Sequence, residues 1–117
     1  MCSVVIKADE FEEKTISKVH NEFEENEPVV FNNFSQAKEF LEEHIVDVVF
    51  LNIVGQKACW EAQCDLIKSI DRVTKIVLIS DNRMDAVKAF DIDALDFLLV
   101  PISESGVNRV ARRARVS

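Results

Sequence analysis

Val46-Asp47-Val48-Val49-Phe50-Leu51 decides the fold, because it is apolar at every position but one and does not alternate. A strand with one face in water reads apolar-polar-apolar, so an unbroken run of this length reads as a strand covered on both sides, as in a parallel sheet. Lys75-Ile76-Val77-Leu78-Ile79 has the same character and ends at Ser80-Asp81. Working outward, Val4 to Lys7 is a short apolar strand that runs into Asp9-Glu10. Pro28-Val29-Val30-Phe31 is another, opened by a proline where a missing N–H costs least. Phe97-Leu98-Leu99-Val100 is the fifth and stops at Pro101.

Between these runs the apolar spacing changes to three and four residues, which is the helical period. Ile16, Val19 and Phe23 mark a helix over Glu12–Glu25. Ser35 is the expected cap of a second helix, with Ala37, Phe40 and Leu41 inward. A third, from about Cys59 to Ile70, is expected to turn Leu66, Ile67 and Ile70 toward the core. A short fourth covers Asp85 to Phe90, and the last runs from Ser103 to Arg115, capped by serine, with Val107 and Val110 on its apolar face. Strand and helix thus alternate five times. Helical crossovers of this length make neighbouring strands parallel and put helices on both faces. Such a sheet carries its ligand site at the carboxyl ends of the strands, where strand order reverses.

The 117 residues suit one domain with one core, and 48% of them are apolar, which excludes a disordered chain. No apolar run is long enough to cross a bilayer. The segment MCSVVIKADE lacks the basic, apolar and small-residue pattern of a secretion signal, so a cytoplasmic location is expected. The formal charge of -7 is uneven. Residues 1–50 hold twelve acids against four Lys/Arg, and residues 51–117 hold nine against ten. An acidic chain lacks the positive field that holds nucleic acid, so direct binding to it is not expected. Arg109, Arg112, Arg113 and Arg115 cluster on the last helix, either as a solvated face or as a patch for a protein partner. Cys2, Cys59 and Cys64 fit neither a disulfide framework nor a metal site and read as free thiols. Phe11 and Trp60 read as surface-cluster or partial-core aromatics, and His20 and His44 fall away from the strand ends. Two glycines are too few for a phosphate-cradling loop, and no Gly-x-Gly-x-x-Gly follows the first strand.

The strand ends carry Ala8, Asp9 and Glu10, then Asn52, then Ser80 and Asp81, then Val100 and Pro101. With Ala89-Phe-Asp-Ile-Asp-Ala-Leu-Asp-Phe-Leu-Leu-Val-Pro-Ile102 and Val49-Phe-Leu-Asn-Ile53, they make the chain resemble the receiver domain of bacterial two-component response regulators. The likeness covers nearly the whole chain and is nearest to receivers of the LytTR class. It implies a flavodoxin-like α/β fold, a single five-stranded parallel sheet in the order 2-1-3-4-5. In that family an acidic pair binds Mg²⁺ beside an acceptor aspartate, while a Ser or Thr and a Lys followed by Pro contact the phosphoryl oxygens. The resemblance places the acidic pair on Ala8 and Asp9, the acceptor on Asn52, the hydroxyl on Ser80, the lysine on Val100 and the proline on Pro101. The aromatic switch partner falls on Phe97.

These changes dismantle the chemistry. A neutral carboxamide is a poor nucleophile and a weaker ligand for a hard cation than a carboxylate. Ala8 removes a second carboxylate, and Val100 removes the cation that would balance developing phosphate charge. Asp9 and Glu10 either hold Mg²⁺ weakly or solvate a strand end. Asn52 reads as an isosteric loop-holding residue, Val100 and Phe97 as packing groups, and Ser80 as a hydroxyl satisfied locally. The expectation is therefore a pseudo-receiver without enzymatic activity or cofactor, acting through protein contacts or as a homodimer. Its expected interface is the fourth helix, fifth strand and fifth helix, presenting Lys88, Asp91, Asp93 and the arginines from Arg109 onward. Two alternatives are the receiver part of a transcriptional regulator whose DNA-binding domain lies outside this chain, and a small-ligand or metal-binding domain using Asp9, Glu10 and Ser80.

Overall fold

The computed structural model describes residues 2–6, 29–54 and 60–116. Its strands are β1 (Ser3–Ile6), β2 (Val29–Phe31), β3 (Val48–Asn52), β4 (Lys75–Ser80) and β5 (Asp96–Leu99). Its helices are α1 (Phe34–Glu43), α2 (Trp60–Ile70), α3 (Asp85–Asp91) and α4 (Glu104–Val116). The helix expected over Glu12–Glu25 lies outside the described residues, as do Phe11, His20 and Cys59.

All five strands are parallel and lie in the order β2-β1-β3-β4-β5. Every residue of β3 is buried, as the unbroken apolar run requires. Successive side chains then serve opposite layers. Val4, Ile6, Val49, Leu51, Ile76 and Leu78 pack with Ala37 and Leu41 of α1, Cys64 and Ile67 of α2, and Ala89 of α3. Val5, Val48, Phe50, Val77, Ile79 and Leu98 pack with Val107, Val110, Ala111 and Ala114 of α4. Each fully buried Val, Leu, Ile or Phe contributes about 1.5–3 kcal/mol relative to exposure, so the two layers supply most of the driving force.

Three local expectations are corrected. The cap of α1 is Asn33, not Ser35: its Oδ1 accepts the Gln36 N–H at 3.0 Å. Phe34 packs against the core, so the helix has to start there and the residue before it takes the cap. Leu66 is 41% exposed, because Trp60, Cys64 and Ile67 set the inward phase of α2. Trp60 itself is a core residue at 4% exposure. The serine cap of the last helix is present, with Ser103 Oγ accepting the Gly106 N–H at 3.0 Å. Gly106 lets α4 approach the sheet, since a Cβ there would meet Leu98 Cδ2 at 3.1 Å.

Candidate functional site at the carboxyl edge of the sheet

The register brings Asn52, Ser80 and Val100 to the carboxyl ends of three adjacent strands. Asn52 lies opposite Ile79, Ser80 opposite Leu99, and the Val100 N–H donates to the Ser80 carbonyl at 2.8 Å. Strands pack about 4.8 Å apart, so the three residues line one edge. Pro101 follows through a cis peptide bond. Ala8, Asp9 and Glu10 lie outside the described residues.

Asn52 and Ser80 are each only 1% exposed. The Asn52 Oδ1 accepts the Val54 N–H at 3.0 Å, which ties the carboxamide to its own turn. The Ser80 hydroxyl donates to Asp85 Oδ2 at 2.6 Å and accepts the Asn82 N–H at 3.0 Å. A hydroxyl has one proton, and here a carboxylate in the first turn of α3 takes it. Val100 is half-buried against the α4 layer, and Phe97 is half-buried against the other. Asn52 and Ser80 thus each accept a backbone N–H two residues on, just past the ends of their strands.

Asp96 went unnoticed in the sequence. Its carboxylate, at the buried start of β5, accepts Arg109 Nε at 2.8 Å and Nη2 at 3.2 Å, and Arg113 Nη1 lies 3.4 Å away. Hydrogen bonding to Asp96 raises the Arg109 pKa above its ordinary value, against an opposing push from burial. Two of the arginines expected on an open, mixed-charge face are therefore already engaged. Lys88, Asp91 and Asp93 are exposed as expected, and beside them the outer side of α3 and its cap also presents apolar groups: Met84, Val87 and Phe90 are 71%, 61% and 70% exposed. Lys88 leans toward α2, 3.8 Å from Glu61. The two-of-three apolar spacing of Val87 and Phe90 was the available signal, hidden because a short helix gives few positions from which to fix a phase.

Of the described cysteines, Cys2 is half-buried and Cys64 is buried. Burial, then the charges of Asp65 and Glu61, push the Cys64 thiol up to about 12. His44 ends α1, stacked on Phe40 at 4.0 Å. Among the described residues no cluster of three or more His, Cys, Asp or Glu is placed to hold a metal ion. No helix among them is long and apolar enough to cross a membrane.

No family model matches the sequence, and no curated protein matches it. Solved structures do. A response regulator from Thermotoga maritima superposes with a TM-score of 0.79 at 18% identity, over 100% of this chain and 99% of that one. The fold is that of a receiver domain. An atypical orphan response regulator, described as using a phosphorylation-independent regulatory mechanism, superposes at 0.76 with 16% identity, over 100% and 98% of the two chains. The beryllofluoride-activated NtrC4 receiver domain dimer superposes at 0.75 with 22% identity, over 97% and 96%.

Proposed function

We propose that this chain is a receiver-type signalling module that works through protein contacts without aspartyl phosphorylation and without catalytic turnover. The observation that carries the reading is Asn52 at the end of β3, a buried carboxamide whose Oδ1 accepts from its own turn. Phosphoryl transfer to a side chain needs an attacking oxygen with negative charge, a divalent ion and a balancing cation. Asn52 supplies no such oxygen. Val100 offers an isopropyl group where the receiver resemblance puts a lysine, and the Ser80 proton is committed to Asp85. Asp9 and Glu10 hold Mg²⁺ weakly at most, and a cytoplasmic setting belongs to the same reading.

The partner surface is the α3-β5-α4 side. Met84, Val87 and Phe90 form an apolar stripe with Asp91 beside it, suited to a second copy of the chain or to another protein. The phosphorylation-independent regulator and the receiver dimer among the structural relatives support this use of the fold. The likeness of Ala89–Ile102 to LytTR-class receivers favours a second reading, in which the module regulates transcription through a DNA-binding domain outside this chain.

Incubation with acetyl phosphate and Mg²⁺, followed by intact mass spectrometry, tests the proposal. The expected result is no phosphoryl adduct on the wild-type chain and, at most, partial labelling of a variant carrying both Asn52→Asp and Val100→Lys. A phosphoryl adduct on the wild-type chain overturns it.

A further inference from the structure

At the opposite end of the sheet, four cations converge on one hollow. Lys68 on α2, Arg72 in the turn after it, Lys75 at the start of β4 and Arg113 on α4 line a hollow of about 320 Å³. Val73, Ala94 and Leu95 supply its apolar wall, and Asp93 is its one acid. The four cations come from four separate places in the chain, so the fold converges them.

Three of these cations keep their charge unneutralised by any ion pair among the described residues, and the fourth, Arg113, is already engaged. Lys68 Nζ donates to the Thr74 carbonyl at 2.7 Å, which fixes the ammonium without neutralising it. Lys68, Arg72 and Lys75 form no ion pair among the described residues. Arg113 is shared with Asp96 at 3.4 Å. Lys68, Arg72 and Lys75 around one concavity repel each other, and a compact anion relieves that repulsion. The rest of the molecule sets the size of the ligand: a chain of net charge -7 repels an extended polyanion such as nucleic acid. The hollow falls in the range of small-molecule sites, roughly 300–1,000 Å³.

We propose that this hollow binds a small phosphorylated molecule carrying at least two negative charges, with Arg72 and Arg113 forking phosphate oxygens and Lys68 and Lys75 acting as point charges. The site lies at the amino ends of β4 and β5, at the far edge from Asn52, and is independent of whether Asn52 can be phosphorylated. Because Arg113 also touches Asp96, the ligand competes for a contact that holds α4 to β5.

Titration of the whole chain with sodium pyrophosphate, and separately with ADP, followed by amide chemical shifts at physiological ionic strength, tests the assignment. Saturable changes are expected around residues 68, 72–75, 93–95 and 113. A second basic hollow, formed by Ser105, Asn108, Arg112 and Arg115, is an internal control and should stay unmoved. A variant with Arg72→Glu and Lys75→Gln should bind about tenfold more weakly, with its ligand-free melting temperature showing that it still folds. Asp93→Asn should bind several-fold more tightly. Equal affinities for the two probes would assign recognition to the phosphates alone, and tighter ADP would add the nucleoside; both outcomes support the site. Absence of saturation, equal shifts around Arg112 and Arg115, or an acidic peptide that binds there more tightly than either probe would overturn it.

Discussion

Asp96 is the residue on which the edge of the sheet depends. Among the described residues β5 has a strand neighbour on one side only, so its outer backbone needs another partner. Arg109 provides it, with Nη2 donating to the Phe97 carbonyl at 3.1 Å while the rest of the guanidinium forks the Asp96 carboxylate. The carboxylate is nearly buried and the guanidinium is half exposed, so the pair escapes most of the solvent screening of a surface salt bridge without the full cost of a buried one. Asp96→Asn is expected to lower stability by about 2 kcal/mol, the scale of a charge-assisted hydrogen bond. Urea denaturation checks it, and adding Arg109→Ala to that variant should cost little more, because both substitutions break one network. Fully additive losses would mean that the two residues act separately.

At the scale of the element, the exit of α3 is a case of a good motif with a costly residue. The Ala94 N–H donates to the Ala89 carbonyl at 3.0 Å and the Asp93 N–H to the Phe90 carbonyl at 3.1 Å, the two bonds of a Schellman cap. Such a cap puts its central residue in the left-handed region, and Asp93 sits there at φ 58°. Glycine occupies that region without a Cβ penalty, so Asp93→Gly should stabilise the chain by about 0.5–1 kcal/mol. Thermal denaturation would register this as a higher midpoint, and a lower midpoint would mean that the carboxylate itself supports the turn. The same scale explains what the sequence made legible. β3 and β4 were plain because an apolar run has one interpretation when a sheet is covered on both faces. The positions of Asn52, Ser80, Val100 and Pro101 at the strand ends followed, since strand ends are fixed once strands are. Caps were harder: Asn32, Asn33 and Ser35 are all capping residues, and only the burial of Phe34 selects among them. The phase of α2 was missed for a related reason, because reading Trp60 as a surface group rotated the inferred face onto Leu66. Asp96 and Arg109 are thirteen residues apart on different elements, a separation to which no periodicity points.

For the molecule as a whole, the prediction concerns the exposed stripe on α3, the proposed partner surface. Replacing Val87 and Phe90 by glutamate removes apolar surface that the core does not use, so the fold should keep its stability within about 0.5 kcal/mol. Sedimentation velocity is expected to show concentration-dependent self-association of the wild-type chain and its loss in the double variant. Unchanged association would move the interface elsewhere. The strand order has a further consequence. Val4 pairs with Val49 as well as with Val29, so the strand made first sits inside the sheet, between one made soon after and one made much later. A nascent chain that has released β2 but not β3 lacks the strand that pairs with the far edge of β1. Until the ribosome has delivered Val48–Asn52, the valines and isoleucine of that edge are open to pairing with wrong neighbours.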